Sequence, residues 1–274
     1  MSELYGLLGE KLSHSISPQI HSKVFNKLNM KGYYNLFEFQ SEDIKAVMEG
    51  FKVIKPRGLN VTIPYKIKVM NFVDELSKKA KEIGAVNTLK FEGGKTIGYN
   101  TDYFGIEMLF NKYDIKVKNK KATILGNGGA AVTVVRYLLN SGVTEITVVT
   151  RNVSKLKKNS KFNDCKLISF DEIERLKESD IVVNSTPIGM YPDLNNSPIE
   201  KKYISKFASA VDIIYNPKKT LFLKYAEEAG LKAVNGLYML VGQGIASQEI
   251  WNDIKIPKSI IDEIYDELDK GVEN

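Results

Sequence analysis

Residues Ala122–Leu139 read ATILGNGGAAVTVVRYLL, and this stretch decides the fold. Ala122 to Leu125 is a short apolar run of the kind that forms a buried strand. Gly126-Asn127-Gly128-Gly129-Ala130-Ala131 then turns the chain into an amphipathic helix that stops near Gly142. Gly126, Gly128 and Ala131 fit the G-x-G-x-x-G/A spacing that seats a dinucleotide pyrophosphate on a helix N-terminus. Gly126 permits the tight turn, Gly128 lets backbone approach the phosphates, and the small Ala131 lets helix and strand pack closely. The free N–H groups of the first helical turn face the anion, which the helix dipole also favours. Glycines in such a turn can be turn chemistry alone. Here a second apolar run, Glu145–Thr150 (EITVVT), follows at the distance of a βαβ unit and favours dinucleotide binding.

Downstream of Lys121 the alternation continues. Strands are expected at 122–125, 145–149, 166–169, 181–183, 210–214 and 232–235, with helices at 129–140, 153–158, 171–178, 200–206 and 220–229. That pattern predicts an open, doubly wound, mostly parallel sheet, whose ligands bind beyond the carboxyl ends of the strands. The loops there are Thr150-Arg151-Asn152, Asn184-Ser185-Thr186-Pro187 and Ile213-Ile214-Tyr215. NAD enzymes usually carry an acid after the second strand to hold the ribose hydroxyl, whereas an arginine accommodates a 2′-phosphate. This chain has Arg151 and no acid, with Lys155 one turn on, which favours NADP.

Upstream, LYGLLG (4–9) reads as a first strand and SHSISP (13–18) as a polar loop. Ser17 followed by Pro18 predicts a helix start with Ser17 as N-cap, and Ile20, Val24, Phe25 and Leu28 share one face of that helix. Ser15 has no such capping duty and is equally open to a substrate role. A strand at 33–39 and a helix at 41–51 precede Leu59-Asn60-Val61-Thr62-Ile63-Pro64-Tyr65-Lys66, read as a strand, a turn and a helix to about Leu76. Lys66 falls near that helix's N-terminus, where the dipole disfavours an ammonium. Gly84–Phe91 reads as a strand, Gly93-Gly94 as a hairpin turn, and Asp102 as the N-cap of the next helix. After Asn235, helical segments carrying Ile245, Ile250, Trp251, Ile260, Ile261, Ile264 and Leu268 are expected to pack back on the N-terminal part.

At 274 residues, two domains are the default, and 43% apolar with 26% charged residues is ordinary for a globular protein. The net charge of +6 comes with lysine runs at 116–121 and 155–161, but no aromatics interleave with them, so nucleic acid is not expected. No run is long and apolar enough for a membrane span, the N-terminus lacks a signal-peptide core, and Cys165 stands alone, so a reducing cytoplasm is expected. His14 and His21 lack metal-ligand spacing, so no metal is expected. Cys165, Met190 and Met239 read as packing residues.

GEKLSHSISPQIHSKVF, GLNVTIPYK, IGAVNTL, GYNTDYFG, ILGNGGAA, TRN, NSTPIGM, DIIYNP and NGLYMLVGQ occur in that order along nearly the whole chain. In these stretches the sequence resembles the shikimate/quinate dehydrogenase family. The resemblance implies an N-terminal α/β substrate domain completed by C-terminal helices (1–101 and 237–274). It implies a Rossmann-type NADP-binding domain (102–236), with a cleft between the two. It implies NADPH-dependent reduction of 3-dehydroshikimate to shikimate on the route to chorismate and the aromatic amino acids. Lys66 would be the acid/base and Asp102 its partner. Ser15, Ser17 and Tyr215 would hold the substrate carboxylate, and Asn60, Thr62, Asn87, Asp102 and Gln243 would surround the ring hydroxyls and reacting oxygen. Gly126, Asn127, Gly128, Gly129 and Ala130 would take the pyrophosphate. Thr150, Arg151, Asn152 and Lys155 would take the adenosine 2′-phosphate, and Thr186, Ile213 and Gly236 the rest of the cofactor. Asn127, the residues flanking Arg151, and Tyr238 depart from the commonest family pattern, and Tyr238 is the change expected to bear on nicotinamide access. A homodimer is a further expectation. The competing readings are a broader quinate/shikimate dehydrogenase able to use NAD, and a catalytically idle nucleotide sensor on the same fold.

Overall fold

In the computed structural model, which describes residues 2–156 and 160–271, the strands are β1 (Glu3–Gly9), β2 (Gly32–Glu38), β3 (Gly58–Val61), β4 (Glu75–Leu76), β5 (Thr88–Glu92), β6 (Lys95–Tyr99), β7 (Lys121–Leu125), β8 (Glu145–Thr150), β9 (Lys166–Ser169), β10 (Ile181–Asn184), β11 (Ser209–Asp212) and β12 (Lys232–Val234). The α-helices are α1 (Ser17–Lys27), α2 (Ile44–Ile54), α3 (Tyr65–Lys68), α4 (Lys78–Ile83), α5 (Asp102–Lys112), α6 (Gly129–Asn140), α7 (Val153–Leu156), α8 (Leu221–Glu228), α9 (Leu237–Asn252) and α10 (Lys258–Gly271). The chain divides into one unit of Met1–Gly105 with Val241–Leu268 and a second of Ile106–Leu240 with Asp269–Asn274.

The second unit is built on the glycine-turn stretch. Its sheet has the order β12-β11-β10-β7-β8-β9 with every neighbouring pair parallel. The order reverses between β7 and β10, and a crevice at the carboxyl ends of the strands belongs there. α6 buries Ala131, Val132, Val134, Val135 and Leu138, while Leu125, Val149, Val182, Ala210 and Phe222 form a core without exposed surface. The helices expected at 171–178 and 200–206 are instead 3₁₀ segments, Phe170–Arg175 and Lys201–Lys206. The first breaks at Glu172 and is started by Ser169, whose hydroxyl accepts from the Asp171 N–H, leaving too few residues for an α-helical ladder. The expected helix 153–158 is α7 over four residues, and 157–159 lie outside the described residues.

The first unit has a mixed sheet, β2-β1-β3-β5-β6-β4. β1 runs parallel to β2 and β3, β5 antiparallel to β3 and β6, and β4 parallel to β6. Gly93 and Gly94, both at positive φ, make the hairpin turn between β5 and β6. The helix expected from Lys66 to Leu76 is only the single turn α3 and a 3₁₀ turn, Val69–Phe72. Asp74 stops it by exchanging bonds with Thr96 on β6: its N–H donates to the Thr96 carbonyl (2.8 Å) and its carboxylate accepts the Thr96 N–H (2.7 Å). Residues 84–87 are not strand. The Val86 N–H instead donates to the Lys66 carbonyl (2.8 Å), which ties α3 to the start of β5. Trp251 on α9 is fully buried against Tyr5 and donates its Nε1–H to the Leu89 carbonyl (2.9 Å). α10 is tied to α1 by Lys23–Glu267 (2.6 Å) and Lys27–Glu263 (2.7 Å).

Candidate active site

Lys66 Nζ lies 2.7 Å from Asp102 Oδ2, and both side chains are partly exposed, 29% and 15%. Asp102 begins α5 without capping it. The Asn100 Oδ1 accepts the Tyr103 N–H (3.3 Å), while the two Asp102 oxygens accept from Lys66 and from Asn87 Nδ2 (2.9 Å). The expected N-cap role therefore belongs to Asn100. A carboxylate that already has a lysine in reach has more to gain from the ion pair than from one backbone N–H.

Asn87 is buried, and its orientation is fixed by three donors. Its Oδ1 accepts from the Thr101 N–H (2.7 Å) and faces the hydroxyls of Thr101 and Thr88 (both 3.1 Å). Its Nδ2 can then only face Asp102. Asn60 sits behind it, buried, accepting from the Tyr34 hydroxyl (2.8 Å) and donating towards the Asn87 carbonyl, Thr88 and Ser247 (2.9–3.2 Å). The Asn60 amide is thus engaged inside the protein and supports Asn87.

At the start of α1, Ser17 is not the N-cap that the sequence predicts. Ile16 is the N-cap, Ser17 is the first helical residue, and Ser15 Oγ accepts the Ser17 N–H (3.2 Å). Proline at the second helical position shifts the start by one residue and gives Ser15 the local turn bond. Ser17 is 8% exposed and Ser15 half-buried. Thr62 is half-buried in the turn before α3, and its carbonyl accepts the Tyr65 N–H (2.9 Å). Gln243 is buried on α9, its carbonyl accepting from Ser247 Oγ (2.9 Å).

In the second unit, Gly126 has φ +100°, and a Cβ there would stand 2.8 Å from Thr186 Cγ2, so glycine is required. Asn127, Gly128 and Gly129 are exposed at the N-terminus of the twelve-residue α6, with open space where side chains at either glycine would stand. After β8, Thr150 is buried with its Oγ1 facing the Asn152 N–H (3.4 Å), while Arg151 and Asn152 are exposed. Lys155 lies on α7. Tyr215 is half-buried in the loop after β11, and burial raises its hydroxyl pKa. Gly236 abuts Ile213 so closely that a Cβ would lie 2.1 Å from the Ile213 carbonyl oxygen. Tyr238 is buried, packed edge-on against Tyr113 with the Lys112 ammonium over its ring. It is thus a packing residue of this unit. A bare, side-chain-free helix N-terminus followed by an exposed arginine at the second strand fits a dinucleotide with an extra phosphate. Among the described residues no group of three acidic, histidine or cysteine side chains could hold a metal ion, and no helix is long and apolar enough to cross a membrane.

Behind Asn87 stand Thr88, Thr101 and Ser247, none of them among the expected site residues. Thr88 and Thr101 stand in the IGAVNTL and GYNTDYFG motifs beside Asn87 and Asp102, whereas Ser247 lies in an apolar helical run with no local signal. His21 is fully buried, stacked on Tyr34 (4.0 Å between centroids) with Nδ1 facing Gln248 Nε2 (2.8 Å), and burial holds its pKa at about 3, so it is neutral.

Fold and site together define a two-unit protein: a Rossmann-type dinucleotide domain, and an α/β unit that presents a lysine–aspartate pair. The family model for the shikimate dehydrogenase substrate binding domain matches residues 7–89, and that for shikimate / quinate 5-dehydrogenase matches 108–213. A shikimate dehydrogenase (NADP(+)) of Clostridium perfringens is 46% identical over 97% of this chain and 98% of its own length. The crystal structure of a chorismate mutase/shikimate 5-dehydrogenase fusion protein from Clostridium acetobutylicum matches with TM-score 0.97 and 50% identity over 100% of both chains. That of shikimate 5-dehydrogenase from Thermus thermophilus, in complex with NADP(H) and shikimate, matches with TM-score 0.88 and 29% identity over 97% of this chain and 99% of that one. The chain belongs to the shikimate dehydrogenase family.

Proposed function

We propose that the chain reduces 3-dehydroshikimate to shikimate reversibly with NADPH, on the route to chorismate and the aromatic amino acids. The observation that carries this is the Lys66–Asp102 pair at 2.7 Å, fixed by Asn87. When bound, the reduced nicotinamide supplies the hydride to the ketone carbon. Lys66 supplies the proton to the carbonyl oxygen, turning a developing alkoxide into the product hydroxyl, and takes it back in the reverse direction. Asp102 orients the ammonium, and Asn87 stops the carboxylate from swinging away. A positioned acid/base of this kind contributes about 10²- to 10⁴-fold. Ser15, Ser17 and Tyr215 hold the substrate carboxylate, while Thr62, Asn87, Asp102 and Gln243 hold the ring oxygens, with Asn60 behind them. Residues 126–130, Thr186, Ile213 and Gly236 hold the cofactor. Arg151, with Thr150, Asn152 and Lys155 beside it, reads the 2′-phosphate. The substrate domain is then 1–101 with 237–274, and the cofactor domain 102–236.

The single cysteine is in keeping with a cytoplasmic protein, and a homodimer is part of the same proposal. Sedimentation of the purified protein tests the homodimer. Initial rates with shikimate and quinate, each with NADP⁺ and NAD⁺, test the activity. Shikimate with NADP⁺ is expected to dominate. Comparable rates with quinate or NAD⁺ would make it the broader enzyme, and cofactor binding without turnover would make it a sensor.

A further inference from the structure

Asp212, the last residue of β11, is a fully buried carboxylate outside the Lys66 site. Three donors converge on it: Asn184 Nδ2 (3.0 Å) and the Ile214 N–H (3.0 Å) on Oδ1, and the Thr220 hydroxyl (2.7 Å) on Oδ2. Asn184 is its register partner at the end of β10. With its amide nitrogen donating to Asp212 and, at 3.4 Å, to the Ile188 carbonyl, the Asn184 Oδ1 faces the next loop, where it accepts the Thr186 N–H (3.0 Å) and the Thr186 hydroxyl (2.7 Å). The Thr186 methyl in turn lies over Gly126, at the end of β7. Three adjacent strands, β11, β10 and β7, thus each deliver one member of a relay at their carboxyl ends, where the strand order reverses. Thr220 completes it. As the N-cap of α8 it accepts the Leu223 N–H (3.3 Å), which leaves its own proton for Asp212.

A buried carboxylate is an expensive way to hold a fold together, since apolar residues of similar volume usually do as well. A carboxylate can do one thing here that they cannot: accept at once from Asn184 on β10 and from Ile214 and Thr220 after β11, and so help fix which way the Asn184 amide points. We propose that Asp212 is a positioning residue for the cofactor, acting through Asn184 to hold Thr186 against the Gly126 turn. This rests on the reading of that turn as the NADP(H) site. Without Asp212 the Asn184 amide keeps only the long contact of its nitrogen to the Ile188 carbonyl (3.4 Å); a flip would set that nitrogen against the Thr186 N–H, and the loop would lose its place.

The test compares wild type, Asp212→Ala and Asp212→Asn in steady-state oxidation of shikimate by NADP⁺. Asp212→Ala is expected to raise KM for NADP⁺ by about 10-fold or more, the loss for one buried hydrogen-bonded group. KM for shikimate should stay within about 3-fold. Asp212→Asn keeps an acceptor for Asn184 and Ile214 and can donate to Thr220 Oγ1, so it should restore a wild-type KM; a merely structural role would not split the two Michaelis constants in this way. An unchanged KM for NADP⁺ in Asp212→Ala, or an equal rise in both constants, overturns the proposal. Should Asp212→Ala fail to fold, Asn184→Ala is read by the same criterion. A wild type that does not turn over at all would instead refute the activity itself.

Discussion

Replacing Lys66 by alanine should remove most of kcat and little else. The Lys66 ammonium is 2.7 Å from Asp102 Oδ2, and the carboxylate keeps its second partner, Asn87, when the lysine is gone. Both side chains retain contact with solvent, so the ion pair is worth only about 1 kcal/mol to the fold, and the melting temperature of Lys66→Ala should fall by a few degrees at most. The effect on the reaction is larger. Loss of a positioned acid/base lowers the rate about 10²- to 10⁴-fold, which corresponds to about 3–5 kcal/mol of transition-state stabilisation. KM for shikimate should change little, because the substrate contacts proposed for Ser15, Ser17 and Gln243 are left in place. Asp102→Asn keeps the shape and loses the charge that orients the lysine, and it should lower kcat in the same direction. The double variant should be little worse than Lys66→Ala alone, because residues acting as a unit are not additive. The assay is nicotinamide absorbance at saturating NADP⁺ and varied shikimate, with thermal melts as the folding control. Near-full kcat in folded Lys66→Ala would refute the acid/base assignment.

Arg151→Ala should raise KM for NADP⁺ by about 10-fold or more and leave that for NAD⁺ nearly unchanged, since only the former carries the phosphate that a guanidinium grips; parallel saturation curves with the two cofactors decide it. Burial holds the Asp212 carboxyl up at about 6, against an ordinary 3.8. A raised pKa means that the stability tied to this group is complete below about pH 4 and is lost as pH climbs through about 6, up to about 3 kcal/mol in all. The melting temperature of Asp212→Asn minus that of wild type should therefore grow between these pH values, and a flat difference would contradict the burial argument. Trp251→Ala deletes the largest fully buried side chain, together with its bond to Leu89, and should destabilise by about 3–5 kcal/mol in denaturant melts of the purified chain.

The dinucleotide unit was legible because its signals are local. The Gly126 turn, the alternating apolar runs and the missing acid after β8 lie within a few residues of what they report. The 3₁₀ segments Phe170–Arg175 and Lys201–Lys206 were not, because over six residues a period of 3.0 cannot be told from one of 3.6. In the first unit the motifs singled out Lys66, Asn87 and Asp102, which the structure brings together, while their local duties were not legible. Asp102 looks like a helix cap until Lys66, 36 positions away, is brought to it, and Asn100 then takes the cap. The single-turn α3 is cut short by Asp74 pairing with Thr96, a partner on another strand. Ser247 reaches Asn60 across 187 positions, and no pattern in an apolar helix announces that. What depends on pairing between distant segments is what a linear reading misses.

The most direct test of the central claim is the forward reaction: purified protein, NADPH and 3-dehydroshikimate, with loss of reduced nicotinamide and appearance of shikimate followed together. The account predicts one shikimate formed per NADPH consumed, at a rate that collapses in Lys66→Ala. Tight NADPH binding with neither consumption nor product would contradict it and leave a nucleotide-binding protein without this chemistry.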